Sequence, residues 1–234
     1  MVAMGLWLPL TAEQLLVKRA AYSYPAVGLD GRIDSWRQIC FQSTWQMDHH
    51  HRDLLTSPDS ARTVMGYLST IFWGHFSGQG GRAMAARAEA KVRQAGNQID
   101  NGLGGGIHGV ANMIHQALAL VESERCGEAV KLLCSNLPQL GPVFASKVCA
   151  FLAPVKCGVI NSIIASKYPQ FGFSVNGEGY VRGTATNMRH YDSYCAFLRE
   201  WAENLNRAGD DFLWKDRDNT NQGWRAVDVE RAIF

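Results

Sequence analysis

The sequence predicts a mainly α protein that folds as a single domain over residues 1–234. Three observations carry this. Apolar residues recur at helical spacing in one segment after another, and alternating, strand-like runs are scarce. With 234 residues and 47% hydrophobic content, the chain can bury one sizeable core. Finally, residues 131–166, KLLCSNLPQLGPVFASKVCAFLAPVKCGVINSIIAS, read as helix, tight hairpin, helix, short break and helix, with a helix–hairpin–helix over about 128–153. Its first helix runs to about Asn136. Leu137, Pro138, Gln139, Leu140 and Gly141 form a turn with proline early and glycine at the end, where a positive φ costs little. The second helix carries Val143, Phe144, Val148, Phe151 and Leu152 at helical spacing, with Lys147 among them. A lone lysine on such a helix ordinarily snorkels to solvent.

The net charge of +2 permits a nucleic-acid partner without demanding one. Six cysteines show neither a C-x-x-C pair nor zinc spacing with histidine, and several fall at apolar helix positions. Reduced, buried thiols in a cytoplasmic protein are expected, with no metal and no cofactor. The opening MVAMGLWLPL lacks a basic region ahead of its short apolar run, and no run is long enough to span a membrane.

In chain order, Thr11 with Gln14 forms a capping box that opens a helix through Leu15, Leu16, Val17 and Ala20. SYPAVGLDGR is turn-rich, and Asp34 or Ser35 then caps a helix holding Trp36, Ile39, Cys40 and Trp45. The triplet His49, His50, His51 invites a metal reading, but adjacent side chains point apart, so a solvated or phosphate-facing turn is preferred. Ser57, Pro58 and Asp59 start a helix with proline at its first position, and Val64, Tyr67, Leu68 and Ile71 continue it to Trp73. WGHFSGQGGR is a glycine-rich connection without the pattern of a nucleotide loop. Residues 83–96 form a helix with a charged face, and GLGGGIHG leads into an apolar helix from His108 to Val121. Tyr168 to Thr186 is loop-like with a short hairpin. Asn187 caps a long amphipathic helix bearing Tyr191, Tyr194, Phe197, Leu198, Trp201 and Leu205. DDFLWKDRDNTNQGW connects to a last short helix, WRAVDVERAIF.

Leu137, Pro138, Gly141 and Lys147, with Phe144, Ala145 and Ser146 before the lysine, resemble the hairpin of the helix-hairpin-helix DNA glycosylase superfamily. The resemblance is closest to bacterial proteins of the 8-oxoguanine-glycosylase fold, including anti-phage defence glycosylases. The run Cys157 to Ser162 is similar to the family's apolar approach to its catalytic aspartate, with Asn161 standing where the aspartate usually is. The apolar helix ending in Trp73 and Gly74, and the closing WRAVDVERAIF, also look like the family's, so the resemblance runs from about Ser69 to Phe234.

The resemblance implies two helical lobes around a cleft and double-stranded DNA with a modified base as the partner. It implies Lys147 as nucleophile, Asn161 in the carboxylate's position, and Leu137, Gln139, Gly141 and Val143 at the DNA backbone. Trp73 and His75 then line the cleft, and Trp45, Trp73 and Phe173 are candidates to stack on a flipped base. A carboxylate replacing the missing aspartate is sought among Asp48, Asp192 and Asp228. The implied reaction is excision of a modified base, with glucosylated hydroxymethylcytosine of phage DNA ranked ahead of 8-oxoguanine repair, and a non-catalytic modified-DNA-binding module as the alternative of another class.

Overall fold

The computed structural model describes residues 9–76 and 82–234. Helix α1 (Ala12–Ala20) opens on the expected capping box, with the Thr11 hydroxyl accepting from the Gln14 amide and the Gln14 side chain returning to the Thr11 amide. The chain then forms an antiparallel hairpin, β1 (Val27–Arg32) and β2 (Ser35–Cys40), in register from Val27↔Cys40 to Arg32↔Ser35. The expected helix from Asp34 or Ser35 is therefore corrected to a strand. Trp36, Ile39 and Cys40 span too few residues to set a period, and pairing decides the conformation. β1 lays Val27, Gly28 and Leu29 against the interior, where the Leu29 amide donates to the Ser69 hydroxyl at 2.8 Å.

Trp45 belongs to the next element, α2 (Thr44–Leu55), whose N-cap is Ser43. The histidine triplet lies within this helix, not in a turn. His50 bonds the Leu29 carbonyl at 2.8 Å. Buried His51 bonds the Met47 carbonyl and the Ser69 hydroxyl, each at 2.9 Å, and burial pushes its pKa down to about 4. Helix α3 (Ser60–Phe76) is capped by Asp59, which accepts from the Ala61 amide, so Pro58 precedes the cap instead of occupying the first turn. From Thr63 to Trp73 it is buried without interruption, which makes it the central helix.

Helices α4 (Arg82–Asp100) and α5 (Gly106–Glu122) pack against α3 and are joined through glycines with positive φ. Then come α6 (Cys126–Asn136), α7 (Pro142–Leu152) and the short α8 (Ser162–Lys167). Long helix α9 (Ala185–Arg207) is capped by Thr184 and not by Asn187, whose buried amide instead ties the backbone of Ser174 and Arg182. A small hairpin, β3 (Trp214–Lys215) with β4 (Asn221–Gln222), leads to α10 (Ala226–Ile233). No helix among the described residues is long and apolar enough to cross a membrane. The opening residues 1–8 and the glycines of residues 77–81 lie outside the described residues.

α10 packs on α1, and a buried ionic network fastens it there. Asp228 accepts from Arg19 and Arg225, and Asp48 accepts from Arg225 and Arg231, at 2.6–3.2 Å. All five side chains are buried, so each charge depends on its partners to offset lost hydration. The network fixes the orientation of α10, which also packs along α9.

Candidate active site

The hairpin between α6 and α7 is held from below. Leu137 and Pro138 are buried, and the Pro138 carbonyl accepts a hydrogen bond from the Tyr67 hydroxyl. The positive φ falls at Gln139 (+60°), whereas Gly141 has φ −85° and ψ 176°. This corrects the expected turn geometry. Gly141 is the extended N-cap of α7 with Pro142 at the first helical position, so the corner has to be turned earlier. Gly141 is exposed, no heavy atom lies within 4 Å of where its Cβ would be, and no side chain caps the amides behind it. Such a helix start offers backbone N–H groups to an anion. Leu137 can offer only backbone here, and the Gln139 side chain reaches Gln98 at 3.2 Å.

Lys147 does not snorkel. It is 8% exposed, with Nζ 4.5 Å from the Phe144 ring centre, 5.1 Å from that of Trp73, and 3.4 Å from the Gly74 carbonyl it donates to. A Cβ on Gly74 would overlap the Phe144 ring, so the glycine is what lets this pocket close over the amine. Burial pulls the Lys147 pKa from 10.5 to about 8, and the charge of Glu230 limits the fall.

The run into Asn161 is pinned to its surroundings. The Tyr191 hydroxyl donates to the Gly158 carbonyl at 2.8 Å, and the Ile160 amide donates to the Ser146 hydroxyl at 3.1 Å. Asn161 is the N-cap of α8, its Oδ1 accepting from the Ile164 amide at 2.9 Å. Glu230, on α10, is 4% exposed and accepts from the Val159 amide, and burial pushes its pKa from 4.5 up to about 8. Lys147, Asn161 and Glu230 line one cavity of about 210 Å³ together with Trp73 and Val143. This cavity shares Tyr22, Tyr24 and Phe234 with an adjoining groove of about 670 Å³.

Among the residues singled out from sequence, the fold thus gathers Trp73, Val143, Lys147 and Asn161. Trp45 is elsewhere, covered by the Arg225 guanidinium 3.9 Å above its ring. His75 stacks on Phe144 at 4.6 Å without lining the cavity, and burial holds its pKa at about 4. Phe173 packs edge-on against Tyr194. None of the three suggested carboxylates lines the cavity. Asp48 and Asp228 are committed to arginines, and Asp192 accepts from the Gly127 amide at 2.7 Å. The carboxylate that does line it, Glu230, was missed. Its signal was a glutamate set among Val227, Val229, Ala232 and Ile233 in the last helix.

The cysteines bring a second difference. Cys126, Cys157 and Cys195, remote in sequence, place their Sγ atoms within 4.8 Å of one another, all buried. Three ligand atoms fall short of the four of a closed zinc site, and none of them lines the cavity.

A hairpin with uncapped helix amides, set beside a cavity that holds a buried amine, is the layout of a helix-hairpin-helix DNA glycosylase. Residues 32–234 match the family model described as "Putative 8-oxoguanine DNA glycosylase OGG-like protein", and the chain belongs to that family. The match begins well before Ser69 and takes in β2 and α2. None of the curated proteins and none of the solved structures compared with the chain matches it significantly. Membership points to a DNA glycosylase-like function with DNA as the substrate.

Proposed function

We propose that this protein excises a modified base from duplex DNA, with Lys147 as the nucleophile, and leaves an abasic site that the same lysine can process further. The observation that carries the reading is the buried Lys147 amine in a cavity next to the hairpin. With its pKa at about 8, roughly one amine in ten is neutral at pH 7, against about one in three thousand at 10.5. The hairpin from Leu137 to Gly141 and the first amides of α7, Val143 included, bind a phosphate through backbone N–H groups and read no sequence. The target nucleotide turns out of the stack into the cavity beside Trp73. Nζ attacks C1′ as the glycosidic bond breaks, giving a lysine–sugar adduct that opens to an imine. Asn161 has its oxygen committed to the Ile164 amide, so its NH₂ group is what remains to meet a base or sugar oxygen.

For the substrate we propose a hypermodified cytosine, glucosylated hydroxymethylcytosine of phage DNA, met in the cytoplasm as part of anti-phage defence. In support, a cavity of 210 Å³ is small for a bulky base, but the groove beyond Tyr22, Tyr24 and Phe234 gives a substituent room. The family's description favours a second reading, 8-oxoguanine. Duplexes carrying single 8-oxoguanine, hydroxymethylcytosine or glucosylated hydroxymethylcytosine decide between them, with released base followed by mass spectrometry. Release from the glucosylated duplex alone supports the first reading, and release from the 8-oxoguanine duplex alone supports the second. Tight binding with no release from any duplex would replace both with a non-catalytic reader.

A further inference from the structure

We propose that Glu230 is the proton carrier of this site, taking a proton from Lys147 and delivering it to the departing base. The inference rests on the reading of Lys147 as nucleophile. Three observations support it. Glu230 lines the same cavity as Lys147 and Asn161. Unlike Asp48 and Asp228, it forms no ion pair with a guanidinium among the described residues, the adjacent Arg231 turning to Asp48 at 2.6 Å and acting on Glu230 only from farther away. It is also held in place. The Val159 amide donates to it, and Gly158 leaves no room for a Cβ against the Glu230 stem.

The groups facing the pair come from several elements. Arg231 on α10 and Arg19 on α1 act on Glu230, Tyr22 and Tyr194 lie within its field, and His75 at the end of α3 feels Lys147. In this setting the carboxyl and the ammonium titrate close together, each at about 8, so moving a proton between them costs little near that pH. No ion pair joins the two, and both open onto the same cavity of about 210 Å³, which has space for water.

Glu230 carboxylate takes a proton from the Lys147 ammonium, giving a neutral acid and a neutral amine. The Nζ lone pair forms a bond to C1′ as the C1′–N bond to the base breaks, and the electron pair leaves with the base. Glu230 gives its proton to the base, which departs neutral. The new secondary ammonium returns a proton to Glu230. The Nζ lone pair then forms C1′=N as C1′–O4′ opens, and O4′ takes its proton from Glu230.

The test is Glu230→Gln, which keeps the size and the acceptor for the Val159 amide. Single-turnover base release from the preferred duplex is followed from pH 6 to 10, together with duplex affinity. In parallel, the pH dependence of reductive methylation at Lys147, mapped by peptide mass spectrometry without DNA, reports the amine's own titration. We expect release to fall by about 10²- to 10⁴-fold with affinity unchanged within about twofold. We also expect the Lys147 midpoint, near 8 in the parent protein, to move lower once the carboxylate is gone. Release retained within about threefold and an unmoved midpoint would overturn the role of Glu230 while leaving Lys147 as nucleophile. Release that survives Lys147→Gln would overturn the underlying reading and this inference with it. The methylation profile of the parent protein does not depend on any variant folding, and a midpoint at the ordinary lysine value would also overturn the proposal.

Discussion

Replacing Lys147 with methionine should make the protein more stable at pH 7, and the gain should fade as the pH rises. The folded protein holds the amine at a pKa of about 8, against 10.5 for a solvated lysine, because burial penalises the ammonium. Between those values the folded protein binds fewer protons than the unfolded chain, so stability rises with pH across the window. Below pH 8 the cost of the buried charge is present almost in full, about 3 kcal/mol at pH 7, and by pH 9.5 it has shrunk to about 1.5 kcal/mol. Methionine matches the lysine stem in length and packs well beside Trp73 and Phe144, so neither a hole nor a charge is left. Glu230, deprived of the amine that partly offsets its burial, stays protonated further up the scale and introduces no new charge. In a protein of this size, about 3 kcal/mol corresponds to a rise in Tm of roughly 6–12 °C. Urea denaturation of both proteins at pH 7 and 9.5 reads the difference directly. A variant that is less stable than the parent at pH 7, or whose gain is the same at both pH values, would refute the reasoning and indicate a solvated amine.

Three further outcomes are expected. Asp228→Asn should cost about 3–5 kcal/mol, read as a lower urea midpoint, because Arg19 and Arg225 lose the charge that compensates their burial. In the parent protein the Asp228 pKa is lowered to about 2, so its contribution is present above 3.8 and disappears as the pH falls through about 2. Asn161→Asp should leave stability within about 0.5 kcal/mol, since both residues cap a helix equally well, while the added charge raises the Lys147 titration midpoint in the methylation assay. Gly141→Asp should fold normally, there being open space for the side chain, but bind duplex about tenfold more weakly by fluorescence anisotropy as its carboxylate repels the phosphate.

Much of the framework was legible in the sequence because local chemistry fixes it. The Thr11–Gln14 capping box, the helix ends around Asn136 and Gly141, and the amphipathic face of α9 are each written in neighbouring residues. What the sequence hid is what depends on distant partners. β2 is a strand because Val27 to Arg32 lies beside it, and His51 is buried because Ser69 and Met47 satisfy its ring. The site shows the same division. Lys147 stands out as a charge on an apolar helix, and Asn161 only through the resemblance, its helix cap on Ile164 being visible in the structure alone. Glu230 lies 69 residues beyond Asn161 and 83 beyond Lys147, and its neighbour Asp228 is the more conspicuous acid until the arginines claim it. The three clustered thiols likewise come from α6, the loop before α8, and α9, a convergence that no spacing encodes.

The claim on which the account turns is that Lys147 forms a covalent bond to the sugar, and borohydride trapping tests it most directly. The protein would be incubated with the duplex whose base it releases, reduced, digested, and the sugar-bearing peptide sequenced by mass spectrometry. The account predicts one adduct, on Lys147, absent from Lys147→Gln. Base release with no trapped adduct, or an adduct on another residue, would contradict it.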